Sequence, residues 1–383
     1  MRTRTIGLFL TMALAAACGG DDDDSTDTSD DATDVGDDVG DDVGDDGGSF
    51  EDQEIIVAFA DNVVVPTYTV LAERAVALDD AAIALAEEVS GGGASQVAVD
   101  NTKTAWADLR KPWEQSEGFL FGPVSAQGWD PAMDSWPLNR DDLEAVLASD
   151  DVLDQAYIRD LPETQKGFHT VEYLLWGQEG TKLPEDITDR EAEYLIALSE
   201  ELVLITTDLS TSWTDGVDGQ AAYREVFTTA GDEGNDFYPS IGSAAQEILD
   251  GMAGICNEVA NGKIADPFDR RDPNLVESQY SFNSLFDFQD NIRSVLNAYT
   301  GDFELGGTQG VGLDEWVAER DPDLDARFKA EVQDAIDAIG AIPEPFREAI
   351  TEPANDDLIV TAQEAIGTVQ DTIEGDLSSL ILQ

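Results

Sequence analysis

Apolar residues recur at helical spacing almost from end to end of this chain. Ile55, Phe59, Val63 and Val70-Leu71 begin a stripe that runs on through Ala75, Leu78, Ala82, Leu85 and Val89. Gly91-Gly92-Gly93 breaks it. A second helix is expected over Ser95–Arg110, with Pro112 kinking or interrupting it before the pattern resumes over Trp113–Phe121. Gly122–Asn139 carries three prolines and Gly128 and reads as irregular. Short helices follow at Asp141–Ala148 and Asp151–Arg159, and Pro162 is placed to start a helix reaching Trp176, with Gly177 as its stop. Further stripes predict helices at Arg190–Trp213, Ala221–Ala230, Ser240–Asn261, Leu275–Tyr299, Leu324–Ile339 and Asp356–Leu382.

Alternating β-branched runs are missing, so the pattern predicts an all-α protein of two helical bundles. Asp215-Gly216 marks the join, which assigns 51–215 to the first bundle and 216–383 to the second. No short-period repeat suggests a solenoid.

The first fifty residues do not fit that pattern. Arg2 and Arg4 precede an apolar stretch, Ile6–Ala17, too short to span a bilayer comfortably, and 1–17 reads as a secretion signal. Leu14-Ala15-Ala16-Ala17-Cys18 resembles a bacterial lipoprotein box with its leucine one place further from the cysteine than usual. Lipidation of Cys18 would then anchor the chain to the membrane; cleavage after small residues without lipid is the other reading. Residues 18–50 follow as an aspartate-rich tether, with almost nothing to bury. The expected location is the cell envelope, facing the periplasm or the cell surface.

Charge narrows the choice of partners. The formal net charge is −62; 82 acidic residues less the tether's 14 aspartates, and 20 basic residues less Arg2 and Arg4, leave 68 against 18, or −50 for the folded part. Nucleic acid and anionic lipid surfaces are repelled by such a field, and cations are attracted. Adaptation to a salty medium, where screening makes such self-repulsion tolerable, is the expected source of most of this acidity, ahead of a specific function. With Cys18 lipidated, Cys256 is alone, so no intrachain disulfide can form, and it reads as a small core residue.

Candidate chemistry centres on the single histidine. In Gly167-Phe168-His169-Thr170-Val171-Glu172 a helix places His169 and Glu172 on one face, where an imidazole beside a carboxylate can hold a cation or pass a proton. Gly167 could admit another backbone close to the histidine. With no second histidine, zinc-protease motifs are ruled out and any other metal ligands must be oxygens. Glu114 and Glu117 supply two carboxylates among aromatic residues, although a salt-bridged surface would look the same. Asp134 and Trp136 add a carboxylate and an indole. A helix through Glu277–Ser284 would align Glu277, Ser281 and Ser284, as either a site or a close helix contact.

Taken in order, Trp113-Glu114-Gln115-Ser116-Glu117-Gly118-Phe119, Trp136-Pro137-Leu138, the Gly167-x-His169-x-x-Glu172 run and Glu277-Ser278-Gln279-Tyr280-Ser281 resemble the imelysin family, as does Asp287–Ile292 with Tyr299-Thr300-Gly301. The resemblance implies two helical bundles with a cleft between them, in exported proteins associated with iron uptake and first described as metallopeptidases. It implies His169 and Glu172 as the metal-site pair, Glu117 as an acidic neighbour, Ser281 in the matching stretch of the second half, and Trp136 as a cleft wall. Iron, or an iron-bearing compound handed to transport components, is the implied ligand; one nitrogen with several oxygens suits iron or manganese better than copper(I), and zinc is possible. A metallopeptidase using Glu172 as general base, and a metal-free binding module, are the competing readings.

Overall fold

The computed structural model describes residues 50–382, so the signal segment, Cys18 and the tether up to residue 49 lie outside the described residues. Eight long helices set the architecture: α1 (Gln53–Ser90), α2 (Gln96–Glu114), α3 (Gly167–Trp176), α4 (Asp189–Thr214), α5 (Ile241–Glu258), α6 (Ser284–Thr300), α7 (Pro322–Gly340) and α8 (Asp356–Thr372). Shorter helical turns connect them. Among the described residues no strand forms, and the one extended pairing is a bridge between Phe303 and Thr308. The fold is all-α, as the periodicity predicted.

In one bundle α1 packs on α2 and α4, and α3 packs across α2 and α4; in the other α8 packs on α7 and α5, and α6 on α7 and α5. By length and composition α1 could cross a membrane, but Leu71, Ala75, Leu78, Ala82 and Leu85 are all fully buried within the protein core. Phe50 is also buried: its N–H donates to the Ile381 carbonyl, and its ring meets Trp316 edge-on. The bundles meet where α2 crosses α6 and where the turn Glu117–Phe119 lies against α5 and α6. That turn fits because a β-carbon on Gly251 would strike the Gly118 carbonyl, and one on Gly118 would lie 2.6 Å from Ser294 Oγ.

Four expectations differ in detail. α2 runs through Pro112 to Glu114 rather than being interrupted there. Proline removes the donor that would bond to the Asp108 carbonyl, and Arg74 Nη1 takes that carbonyl instead, at 2.6 Å. The helix does not resume over Trp113–Phe121; the Ser116 hydroxyl bonds back to the Trp113 carbonyl, and a 3₁₀ turn follows. The helix expected from Pro162 begins only at Gly167, because Lys166 is extended and Gly167 itself has φ +77°. The helix expected from Leu275 begins only at Ser284, since Ser278 (φ +49°) and Phe282 (φ +65°) break the intervening loop.

Candidate metal centre

Five segments converge at the seam between the bundles. The last turn of α2 presents Arg110 and Glu114, four residues apart and both wholly buried. The turn after it presents Glu117, and the short helix Trp129–Asp134 ends in Asp134. α3 brings His169 and Glu172, and the loop before α6 brings Glu277. Gly167 makes this convergence possible: a β-carbon there would collide with the Met133 carbonyl, so only glycine lets the start of α3 lie against the helix carrying Asp134. The Trp106 indole ties α3 down by donating to the Phe168 carbonyl at 2.9 Å.

His169 is fully buried. Its Nδ1 lies 3.1 Å from Glu172 Oε2, a hydrogen bond in which Nδ1–H donates to the carboxylate oxygen. Glu172 Oε1 accepts the N–H of Tyr280 at 2.9 Å, the N–H of Ser281 at 2.7 Å and the Ser281 hydroxyl at 2.7 Å. Glu172 and Ser281 therefore stand behind the imidazole, fixing its orientation and the loop at once. The opposite nitrogen, Nε2, points to the cleft. It lies 3.0 Å from Asp134 Oδ1, off the line of a hydrogen bond, and 3.6 Å from Glu277 Oε1, so among the described residues it has ion-pair neighbours but no hydrogen-bond partner. Trp136 meets the imidazole edge-on at 4.8 Å between ring centroids, and its indole donates to the Leu275 carbonyl.

Around that nitrogen the carboxylates divide into two kinds. Burial opposes ionisation of Asp134, but the Arg110 guanidinium and His169 outweigh it and hold the carboxyl below its usual range. Glu277 is likewise brought down to about 2, the Lys263 ammonium and His169 overcoming burial. Burial wins at Glu114 and Glu117: despite Arg110 and Lys263 respectively, both are pushed well above the ordinary range. Burial also lifts Asp130 to about 6, with Asp134 adding to it, and Asp287 to about 6 against Arg110. His169 is raised well above its usual value, since hydrogen bonding and charge from its carboxylate neighbours exceed the cost of burying an imidazolium.

The cleft outside this cluster holds about 410 Å³ and is lined by Glu117, Asp130, Asp134, Glu258, Asp266 and Glu277 among others, with Trp136 as a wall. Asp134, His169 and Glu277 can each offer one donor atom within 4.8 Å of the others, and so can Glu114, Glu117 and Asp134. With its proton displaced by the arriving ion, the imidazole Nε2 beside these carboxylate oxygens can hold a metal cation.

Of the residues singled out in the sequence, His169, Asp134, Glu277, Glu114, Glu117 and Trp136 come together, and Glu172 and Ser281 sit one layer back. Lys263, which reaches 2.9 Å from Glu117 Oε2, carries no signal in the sequence; Asn291, within the Asp287–Ile292 run of the family pattern, had no role attached, and its amide donates to Glu114 Oε2 at 2.5 Å and Glu117 Oε2 at 3.1 Å. Asp287 was part of the family pattern with no role attached; it accepts from Ser278 Oγ and Asn283 Nδ2 and closes the Arg110 network.

Residues 64–373 match the imelysin family model. The chain is 31% identical over 328 residues to iron-regulated protein A of Synechococcus elongatus, covering 86% of each chain. A crystal structure designated an iron-regulated protein A precursor from Parabacteroides distasonis superposes with a TM-score of 0.76 at 30% identity, over 86% of this chain and 94% of that one. An imelysin-like protein from Psychrobacter arcticum shares the fold, with a TM-score of 0.68 at 12% identity over 86% of this chain and 95% of that one. With its family match spanning the core of both bundles, the chain belongs to the imelysin family.

Proposed function

We propose that the cleft captures a divalent transition-metal cation, iron foremost, free or within a small iron-bearing compound, and holds it for uptake at the cell envelope. One observation carries this reading: His169 Nε2 is fully buried, has no hydrogen-bond partner among the described residues and faces Asp134 and Glu277. Asp134, His169 and Glu277 are the proposed ligands, with Glu117 and Glu114 as a second set of oxygens. Glu172 is assigned to holding the imidazole by its other nitrogen, the usual task of a carboxylate behind a metal-bound histidine. A bound metal there would act as cargo. The relatives named for regulation by iron agree with that cargo. Export with a lipid on Cys18 would place the cleft where such a cation arrives.

Glu172 bears on the peptidase alternative. A hydrolase needs a carboxylate free to take a proton from water, and both Glu172 oxygens already accept hydrogen bonds. Binding without hydrolysis is the reading these contacts favour. Anaerobic equilibrium dialysis of Fe²⁺ and Mn²⁺ tests it: wild type is expected to retain about one ion per chain, and His169→Ala to bind at least about a hundredfold more weakly, roughly 3 kcal/mol. Equal retention by the two proteins removes His169 from the site and overturns the proposal.

A further inference from the structure

Among the described residues, Lys263 is the only basic side chain on the cleft wall. It is delivered by a π-helical turn, Val259–Ile264, that continues α5. Such wide turns take side chains out of α-helical register and recur at functional sites. The ammonium lies 2.9 Å from Glu117 Oε2, 3.2 Å from Glu277 Oε2 and 3.9 Å from Glu114 Oε2. Glu277 Oε1 is shared, 3.4 Å from Lys263 Nζ and 3.6 Å from the unpartnered His169 Nε2. The tethered cation thus sits on oxygens that a bound metal would need.

We infer that Lys263 is a resident counter-ion, displaced from Glu117 and Glu277 by an arriving divalent cation and swung to the cleft mouth when the site fills. This rests on the cation-binding reading given above. The second cation of the cluster cannot do the same. Arg110 is wholly buried and touches Glu114, Asp134, Glu277 and Asp287 together, so it is part of the frame. The Lys263 side chain keeps 10% exposure, and Glu258, 61% exposed with an oxygen 3.9 Å from Nζ, offers it a place outside. A point charge on a flexible stem suits exchange as a planar fork does not. The exchange also discriminates. A free monovalent ion brings no more charge than the ammonium it must evict, whereas a divalent ion brings twice as much to the same oxygens. On so acidic a protein, where sodium and potassium crowd the surface, Lys263 keeps the cleft for divalent ions.

The test uses Mn²⁺ as probe on the full chain, with two readouts. In equilibrium dialysis, Lys263→Met is expected to bind Mn²⁺ about tenfold tighter than wild type, and Lys263→Arg no tighter. In wild type, amine acylation followed by mass spectrometry should show Lys263 modified several-fold faster with Mn²⁺ present, the other five lysines keeping their rates. Mn²⁺ binding that is lost in His169→Ala but leaves Lys263 labelling unchanged overturns this inference alone, even where Lys263→Met fails to fold. Failure of wild type and Lys263→Met alike to bind Mn²⁺ overturns the cation-binding reading and this inference with it.

Discussion

At the scale of single residues, the two buried groups with the simplest chemistry are His169 and Cys256, and their surroundings make them opposites. His169 is ringed by carboxylates that favour its charged form. Cys256 is fully buried on α5 in apolar surroundings; burial, with some repulsion from Glu374, pushes its thiol up to about 12. A thiol whose folded pKa lies above its unfolded value near 8.5 adds stability that is fully present below that value and is lost as pH rises towards the folded pKa. Between about pH 9 and 11 the loss approaches 1.4 kcal/mol per pH unit from this one group. Urea unfolding of wild type and Cys256→Ala across that range is expected to show a shallower alkaline decline in the variant. Parallel slopes would mean that the folded thiol ionises near its ordinary value. Alkylation of Cys256 at pH 8 should also wait on unfolding.

At the scale of elements, the site depends on how closely segments can approach. Gly167 combines φ +77° with a β-carbon position overlapping the Met133 carbonyl. Gly167→Ala therefore adds left-handed strain to a backbone clash, and is expected to destabilise the protein by at least about 2 kcal/mol. It should also weaken Mn²⁺ retention, because the helix that must retreat ends in Asp134. A variant with unchanged denaturant midpoint and affinity would show that the two backbones part without consequence.

That close approach was legible in the sequence, as were the helical periodicity and the pairing of His169 with Glu172, since all three are local. The loop from Glu277 to Asn283 was not. Val276 with Tyr280, and Phe282 with Leu285 and Phe286, fall at helical spacing across it, and nothing nearby signals that the N–H groups of Tyr280 and Ser281 serve a carboxylate on α3. Lys263 was hidden for a different reason: a lone lysine just past the helix expected over Ser240–Asn261 resembles a solvent-facing residue, and the π turn over Val259–Ile264 carries it inward. The order of motifs along the chain carried the rest of the site, because Glu114, Asp134 and Glu277 are far apart in sequence and meet only through packing.

At the scale of the whole molecule, the sum of charge opposes the fold that packing builds. From Glu51 onward acidic residues outnumber basic ones by 50, and several of the ion pairs formed are exposed and local, as between Arg270 and Asp266 or Arg320 and Glu319. Pairs of that kind contribute little each, so repulsion between the remaining carboxylates is left to the solvent to screen. Raising NaCl from about 0.1 to about 1 M shortens the screening length from about 10 to about 3 Å. With a chelator present to keep cleft occupancy out of the measurement, the thermal midpoint of the full chain is expected to rise by at least about 5 °C over that range. Choline chloride at equal ionic strength should match NaCl if screening alone is responsible, whereas a larger rise with NaCl would point to sodium held at particular carboxylates. A midpoint that stays level or falls with both salts would mean that the acidic surface is balanced locally and does not strain the fold.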